Sequence, residues 1–150
     1  MNDLVIRPAT PEDIPAIVAL LAADSVAVSR ESPDDLAPYY EAWERIAADP
    51  NQHPSVAVRA GRVVGTLQLS VIPGLSRTGA TRVIVEAVRV HSDERGNGLG
   101  TLLMEWAVER SRELGASLVQ LTSDRSRTGA HRFYERLGFT GSHIGFKRQL

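Results

Sequence analysis

Cysteine is absent from the 150-residue chain, which removes thiol nucleophiles, Cys-ligated zinc and disulfide frameworks, and leaves the redox compartment open. Long apolar runs are missing too. The longest, Ala16 to Ala23, is far short of the roughly 18–20 residues that span a bilayer, and Asp3 and Arg7 fall where a signal peptide would need its apolar stretch. The expectation is a soluble, cytoplasmic protein. Lysine is nearly absent, since Lys147 is the one lysine among 17 basic residues. Arginine suits bidentate phosphate recognition, but a compositional preference of the source explains the bias equally well. No basic run is dense enough for a nucleic-acid groove, and the four histidines, His53, His91, His131 and His143, lack paired metal-ligand spacing. Neither a metal site nor nucleic-acid binding is expected.

What remains is an ordinary globular composition: 43% apolar, 23% charged, net charge −1. That small net charge hides an asymmetry, −6 over residues 1–60 and +4 over residues 123–150. A chain of this length forms a core without staples, and the absence of repeats or linkers points to a single domain over residues 1–150.

Leu4 to Arg7 reads as a short strand, and Thr10-Pro11-Glu12-Asp13 opens a helix whose Ile14, Ile17, Val18 and Leu21 share one face. A second helix is expected from Pro33 to about Ala48. Val56 to Ala60 and Val63 to Ile72 read as a hairpin around Gly61-Arg62, followed by a loop from Pro73 to Ala80. Next come a strand from Arg82 to His91, a helix from Leu99 ended by Gly115, and a strand from Ser117 to Thr122. A last helix carries Ala130, Phe133, Tyr134 and Leu137 and stops at Gly138, and Phe139 to Arg148 forms one or two final strands. The order gives an α+β domain in which a strand–helix–strand unit follows an antiparallel hairpin.

The sharpest local signal is Arg95-Gly96-Asn97-Gly98-Leu99-Gly100-Thr101 between a strand and a helix. Alternate glycines let backbone N–H groups converge at the positive end of the helix dipole, where a pyrophosphate would bind. A plain strand-to-helix turn would need no more than this either. The spacing is neither a P-loop, which needs a lysine, nor a Rossmann fingerprint, which needs glycine where Thr101 stands. On the strand before it, Glu86 shares alternation parity with Ile84, Val88 and Val90, so its carboxylate is expected on an apolar face, where desolvation would make it a useful base. Tyr134 lies on the apolar face of the last helix, a place a core tyrosine would also satisfy.

Arg95 to Gly100 resembles the Arg/Gln-x-x-Gly-x-Gly/Ala loop of the GNAT superfamily of acyl-coenzyme-A-dependent N-acetyltransferases. Ala130-His131-Arg132-Phe133-Tyr134-Glu135-Arg136-Leu137-Gly138-Phe139 is similar to that family's second signature. Ile6-Arg7 with Asp13 matches the usual first strand and helix, and Val63-Val64-Gly65 the third strand, so the resemblance covers nearly the whole chain. It implies an α/β/α-layered fold with a mixed, mostly antiparallel sheet of about six to seven strands and about four helices. It also implies acetyl-CoA as donor, no metal, and a primary amine of a small molecule or peptide as acceptor, attacking directly in a ternary complex. A homodimer is compatible with the family.

Carried over by position, the resemblance assigns the backbone of Val88, Arg89 and Val90 to the pantetheine arm, and Arg95, Gly96, Asn97, Gly98, Leu99, Gly100 and Thr101 to the pyrophosphate. Glu86 becomes the general base, directly or through water, and Tyr134 the general acid toward the thiolate. Where the family often has an asparagine touching the cofactor, this chain has Arg127, which either reaches a phosphate or points to solvent. Acceptor choice is expected to rest with the segment between the first two helices and the loop Pro73 to Thr81. Two rivals stay open: a non-catalytic acyl-CoA sensor of the same fold, and a nucleotide-binding domain built on the glycine loop.

Overall fold

The computed structural model describes residues 3–23 and 30–150. Its elements run β1 (Leu4–Pro8), α1 (Ile14–Ala22), α2 (Ala37–Ala48), β2 (Gln52–Arg59), β3 (Arg62–Pro73), the four-residue α3 (Ser76–Gly79), β4 (Thr81–Val90), α4 (Leu99–Glu113), β5 (Leu118–Gln120) and α5 (Thr128–Arg136). The strands form one sheet in chain order. β1 to β4 are antiparallel neighbours and β5 pairs with β4 in parallel, after the α4 crossover that a parallel pair requires. The mixed, mostly antiparallel sheet and α+β layout match the sequence reading.

The helices start where local chemistry demands. The Thr10 N–H donates to the Asp13 carboxylate at 2.8 Å, and Arg7 grips the same carboxylate with two bonds, Nη1 to Oδ2 at 2.7 Å and Nη2 to Oδ1 at 3.0 Å. β1 is thereby tied to the entrance of α1, and the arginine with the hydrogen bonds holds the Asp13 carboxyl below the usual carboxylate range. α2 begins at Ala37, four residues later than the expected Pro33, because Pro38 is tolerated only in the first helical turn. Ala60 and Gly61 both take positive φ, 51° and 75°, and Arg59 pairs with Arg62, so the β2–β3 hairpin closes on two left-handed residues.

Two features depart from expectation. Among the described residues the sheet has five strands, not six to seven, because Phe139 to Arg148 forms none. Gly141 and Gly145 weaken strand formation there, Ser142 N–H turns back to Thr140 O at 2.9 Å, and residues 140–150 are all exposed. The described residues also hold five α-helices against about four expected; the extra one, α3, is a single turn in which Arg77 and Thr78 hold left-handed φ. No described helix is long and apolar enough to cross a membrane.

α4 covers one face of the sheet. Leu99, Leu103, Met104 and Ala107 bury against Ala57, Val64, Leu67, Leu69, Val83 and Val85. Gly65 lies beneath it: a Cβ there would touch Leu103 at 3.5 Å and crowd the Arg89 carbonyl at 3.3 Å, so the missing side chain eases the close packing of β3, β4 and α4. Ile14, Val18 and Leu20 of α1 and Val56 of β2 are also buried, outside the α4 cluster.

Candidate active site

Strand β4 is irregular where the chemistry is expected. Thr66 pairs with Arg89 but Gln68 pairs with Glu86, so β4 carries one more residue than β3 across this stretch, and Ala87 takes φ +55°. The bulge inverts the alternation. Arg89, opposite Thr66, shares the face of Glu86, whereas Val88 and Val90 turn to the α4 side and pack on its cluster. The expected common face of Glu86 with Val88 and Val90 is therefore corrected: only Ile84 keeps that parity. Nor does Glu86 sit on an apolar surface. It is exposed, opposite Gln68, whose Nε2 donates to Gln52 Oε1 at 2.8 Å beside Ser70 Oγ, which donates to the same oxygen at 2.7 Å.

β4 and β5 pair only through Arg82–Leu118, Val83–Val119 and Ile84–Gln120. Beyond Ile84 they separate, and the edge of Val88 to Val90 opens on a cleft of about 810 Å³. One wall is a stripe of small residues, Ala16 and Ala19 on α1 and Ala23 at its C-terminal cap; the others include Arg62, Arg89, His91, Arg95 and Arg127. No described carboxylate lines this cleft. Its volume and its cationic lining suit a polyanionic ligand with a slender apolar stem.

The glycine loop follows directly on Arg95, which lines this cleft. Gly96 (φ +82°) and Gly98 (φ +80°) are left-handed, and Gly98 caps α4. A Cβ on either would meet nothing within 4 Å, so glycine is needed there for conformation and not for space. Gly100 differs: its Cβ would stand 3.4 Å from the Phe133 ring, and the missing side chain lets α4 and α5 approach. The first-turn amides of α4 have no intrahelical partner and carry the positive end of its dipole. A 3-10 turn, Ser92–Glu94, leads into the loop and is pinned to β2 by Arg59 Nε donating to Glu94 Oε1 at 3.1 Å.

Tyr134 projects from α5 with its ring edge-on to Phe133 (centroids 5.2 Å apart) and to Phe139 (6.0 Å). Burial raises its phenol pKa, against the opposing charges of Arg127 and then Arg89, so the hydroxyl keeps its proton at neutral pH. Arg89 and Arg127, whose charges act on Tyr134, also line the cleft, although Tyr134 itself is not among its lining residues. Glu86 lies on the same strand as Arg89, across the bulge.

Sequence reasoning missed part of the lining. Ala16, Ala19 and Ala23 recur at helical spacing, a readable small-residue stripe, whereas Arg62 and His91 reach the cleft only through strand pairing and carry no local mark. The histidines are scattered. His131 bonds Asp124 O at 2.8 Å and His143 bonds Ser142 Oγ at 2.7 Å, and among the described residues no group of three or more metal-capable side chains converges. Of the segment expected to choose the acceptor, residues 24–29 lie outside the described residues. The part just before α2 is tied down by the Tyr39 hydroxyl, which accepts from Ser32 N–H at 2.8 Å and donates to Glu31 Oε1 at 2.9 Å.

Residues 15–139 match the family model described as Acetyltransferase (GNAT) family. Aminoalkylphosphonate N-acetyltransferase of Salmonella typhimurium is 33% identical over 145 residues, which are 97% of this chain and 90% of that protein. The L-methionine sulfoximine/L-methionine sulfone acetyltransferase of Pseudomonas aeruginosa is 30% identical over 89% of this chain and 78% of its own. Among solved structures, one described as a transcriptional regulator from Bacillus halodurans C-125 superposes with a TM-score of 0.93 at 40% identity, covering 98% of this chain and 99% of that one.

Proposed function

The chain belongs to the GNAT acetyltransferase family, an N-acetyltransferase by its relatives, and from that premise we propose that it moves the acetyl group of acetyl-CoA to a primary amine in a ternary complex. The observation that carries this reading is the parting of β4 from β5 after Ile84, which leaves the Val88–Val90 edge facing a cleft lined by cations and no described carboxylate. An extended amide-bearing arm pairs with such an edge as a strand would. The amides of Gly96 to Thr101 and the guanidiniums of Arg95 and Arg127 fit the pyrophosphate beyond it.

In the proposed step the amine nitrogen attacks the thioester carbonyl, the C–N bond forms and the C–S bond breaks. The ammonium proton passes to Glu86, directly or through water, and the Tyr134 hydroxyl protonates the departing thiolate. Exposure of Glu86 fits transfer through water better than a desolvated base. The positive charge of Arg89 and Arg127 near Tyr134 also favours the thiolate that forms there.

For the acceptor, the two relatives above act on amines that carry an oxygenated phosphorus or sulfur centre. An amine of that class is the first candidate here. The test is release of free CoA thiol from acetyl-CoA across aminoalkylphosphonates, methionine sulfone, polyamines, aminoglycosides and peptides, in a chain whose lack of cysteine gives no thiol background. Acceptor-dependent release is expected. Tight acetyl-CoA binding without release for any amine would replace this reading with the sensor.

A further inference from the structure

On β3, Thr66, Gln68 and Ser70 alternate with Leu67, Leu69 and Val71, and the apolar set packs on the α4 side. The polar set faces the other way, beside its sheet partners Val56 and Gln52 of β2 and Glu86 of β4. Gln52, Gln68 and Ser70 are half-buried there. Glu86 is exposed and stands two residues beyond the last β4–β5 pair, Ile84–Gln120.

The hydrogen bonds of this polar row have a fixed direction. The Asp49 carboxylate, which also takes the Asn51 N–H at 2.9 Å, can only accept, so the Gln52 amide turns its Nε2 toward Asp49 Oδ2, at 3.4 Å, and its Oε1 toward β3. That oxygen accepts from Ser70 Oγ at 2.7 Å and from Gln68 Nε2 at 2.8 Å. The Gln68 amide is thereby fixed as well: its nitrogen is engaged on the β2 side, and its Oε1 is turned away from Gln52. Among the described residues none donates to Gln68 Oε1, and none donates to or pairs with Glu86. Gln68 Oε1 stays within reach of solvent. Gln68 and Glu86 are directly opposite, which places their Cβ atoms roughly 4.5–5.5 Å apart, so one small group spans both side chains. Two hydrogen-bond acceptors therefore stand side by side with no donor between them.

We propose that Gln68 binds the substrate amine: its Oε1 and the Glu86 carboxylate together seat a primary ammonium, and Gln52, anchored on Asp49, is the positioning residue that keeps the Gln68 oxygen turned to it. The seat deepens the acetyl-transfer reading, and its part in the reaction rests on that reading. A primary ammonium carries three N–H donors. Two fill the seat, and the third remains for the water that carries the proton toward Glu86. A tertiary ammonium has the same charge but one N–H, so it satisfies one acceptor and leaves the other unmet. The seat selects by number of donors, which charge alone would not do.

The probes are 2-aminoethylphosphonate and its N,N-dimethyl derivative, titrated by calorimetry into the full chain in excess CoA, where binding is read without turnover. The parent is expected to bind the primary amine at least about tenfold tighter, the scale of one hydrogen bond to a charged group. Gln68→Leu, similar in size, should bring the two probes within about threefold, because Glu86 alone takes one N–H from either. Gln52→Met leaves the Gln68 amide free to turn over and should erode the preference, whereas Gln52→Glu accepts the same two hydrogen bonds and should restore it. The predicted selectivity without CoA release from acetyl-CoA for any amine would retain the seat and remove the acetyl-transfer reading. A preference that survives Gln68→Leu in a folded variant, a Gln52→Glu variant no better than Gln52→Met, or a parent that binds both probes alike or neither would each overturn the seat, even where acetyl transfer is observed.

Discussion

Tyr134 is the residue on which packing and chemistry make separable demands. Tyr134→Phe keeps the ring contacts with Phe133 and Phe139 and removes only the hydroxyl, so stability should change by no more than about 1 kcal/mol. Turnover should fall toward the lower end of the 10²–10⁴-fold range typical of a lost general acid, since a thiolate leaves readily. Steady-state kinetics beside urea unfolding checks both halves, and a less stable Phe variant with parental turnover would make Tyr134 a core residue. His53 gives a second residue-scale test. Its folded pKa lies below that of the unfolded chain, so the unfolded state takes up the proton first. The stability tied to its neutral form is complete above the unfolded value, about 6.5, and is lost as pH falls below it. His53→Gln should flatten the pH dependence of unfolding free energy in that window, measured by urea titrations between about pH 5 and 8; an unaltered slope would contradict the assignment to His53.

At the scale of elements, the hairpin offers a clean test because Ala60 occupies a left-handed position that glycine or asparagine adopts at lower cost. Ala60 is exposed and does not line the cleft, and Ala60→Gly should stabilise the chain by roughly 0.5–1 kcal/mol in chemical denaturation. Loss of stability would show that the turn is not strained. Most elements were legible because their signals are local: the Ile14, Ile17, Val18, Leu21 stripe, the Gly115 and Gly138 stops, the β-branched runs of the hairpin. The bulge at Ala87 was not. Nothing in Val85-Glu86-Ala87-Val88 marks an extra residue, because a bulge is a mismatch in count between two strands and not a property of either. That one residue reversed the predicted surroundings of Glu86. The final strands failed for a related reason: Ile144 and Phe146 alternate correctly, but a strand also needs a partner edge, which no alternation pattern supplies.

For the whole molecule, the part of the site contained in one contiguous stretch, the glycine loop, was legible, as was Tyr134 within its own signature. The cleft itself is assembled from α1, β3, β4 and the start of α5, so its cluster of cations emerges only on folding. The opposition between the acidic first 60 residues and the basic last segment anticipated an anion site only in outline. The account therefore stands on whether that cleft binds acetyl-CoA through the loop amides. Gly98→Asp and Gly98→Asn carry the same left-handed strain in a space where a side chain meets nothing, and they differ chiefly in one negative charge. Calorimetric titration of the parent and both variants with acetyl-CoA is the direct measurement. The account predicts binding by the parent, a loss of more than tenfold, or about 1.4 kcal/mol, for Gly98→Asp, and a distinctly smaller loss for Gly98→Asn. Equal affinity of the parent and a folded Gly98→Asp would contradict it.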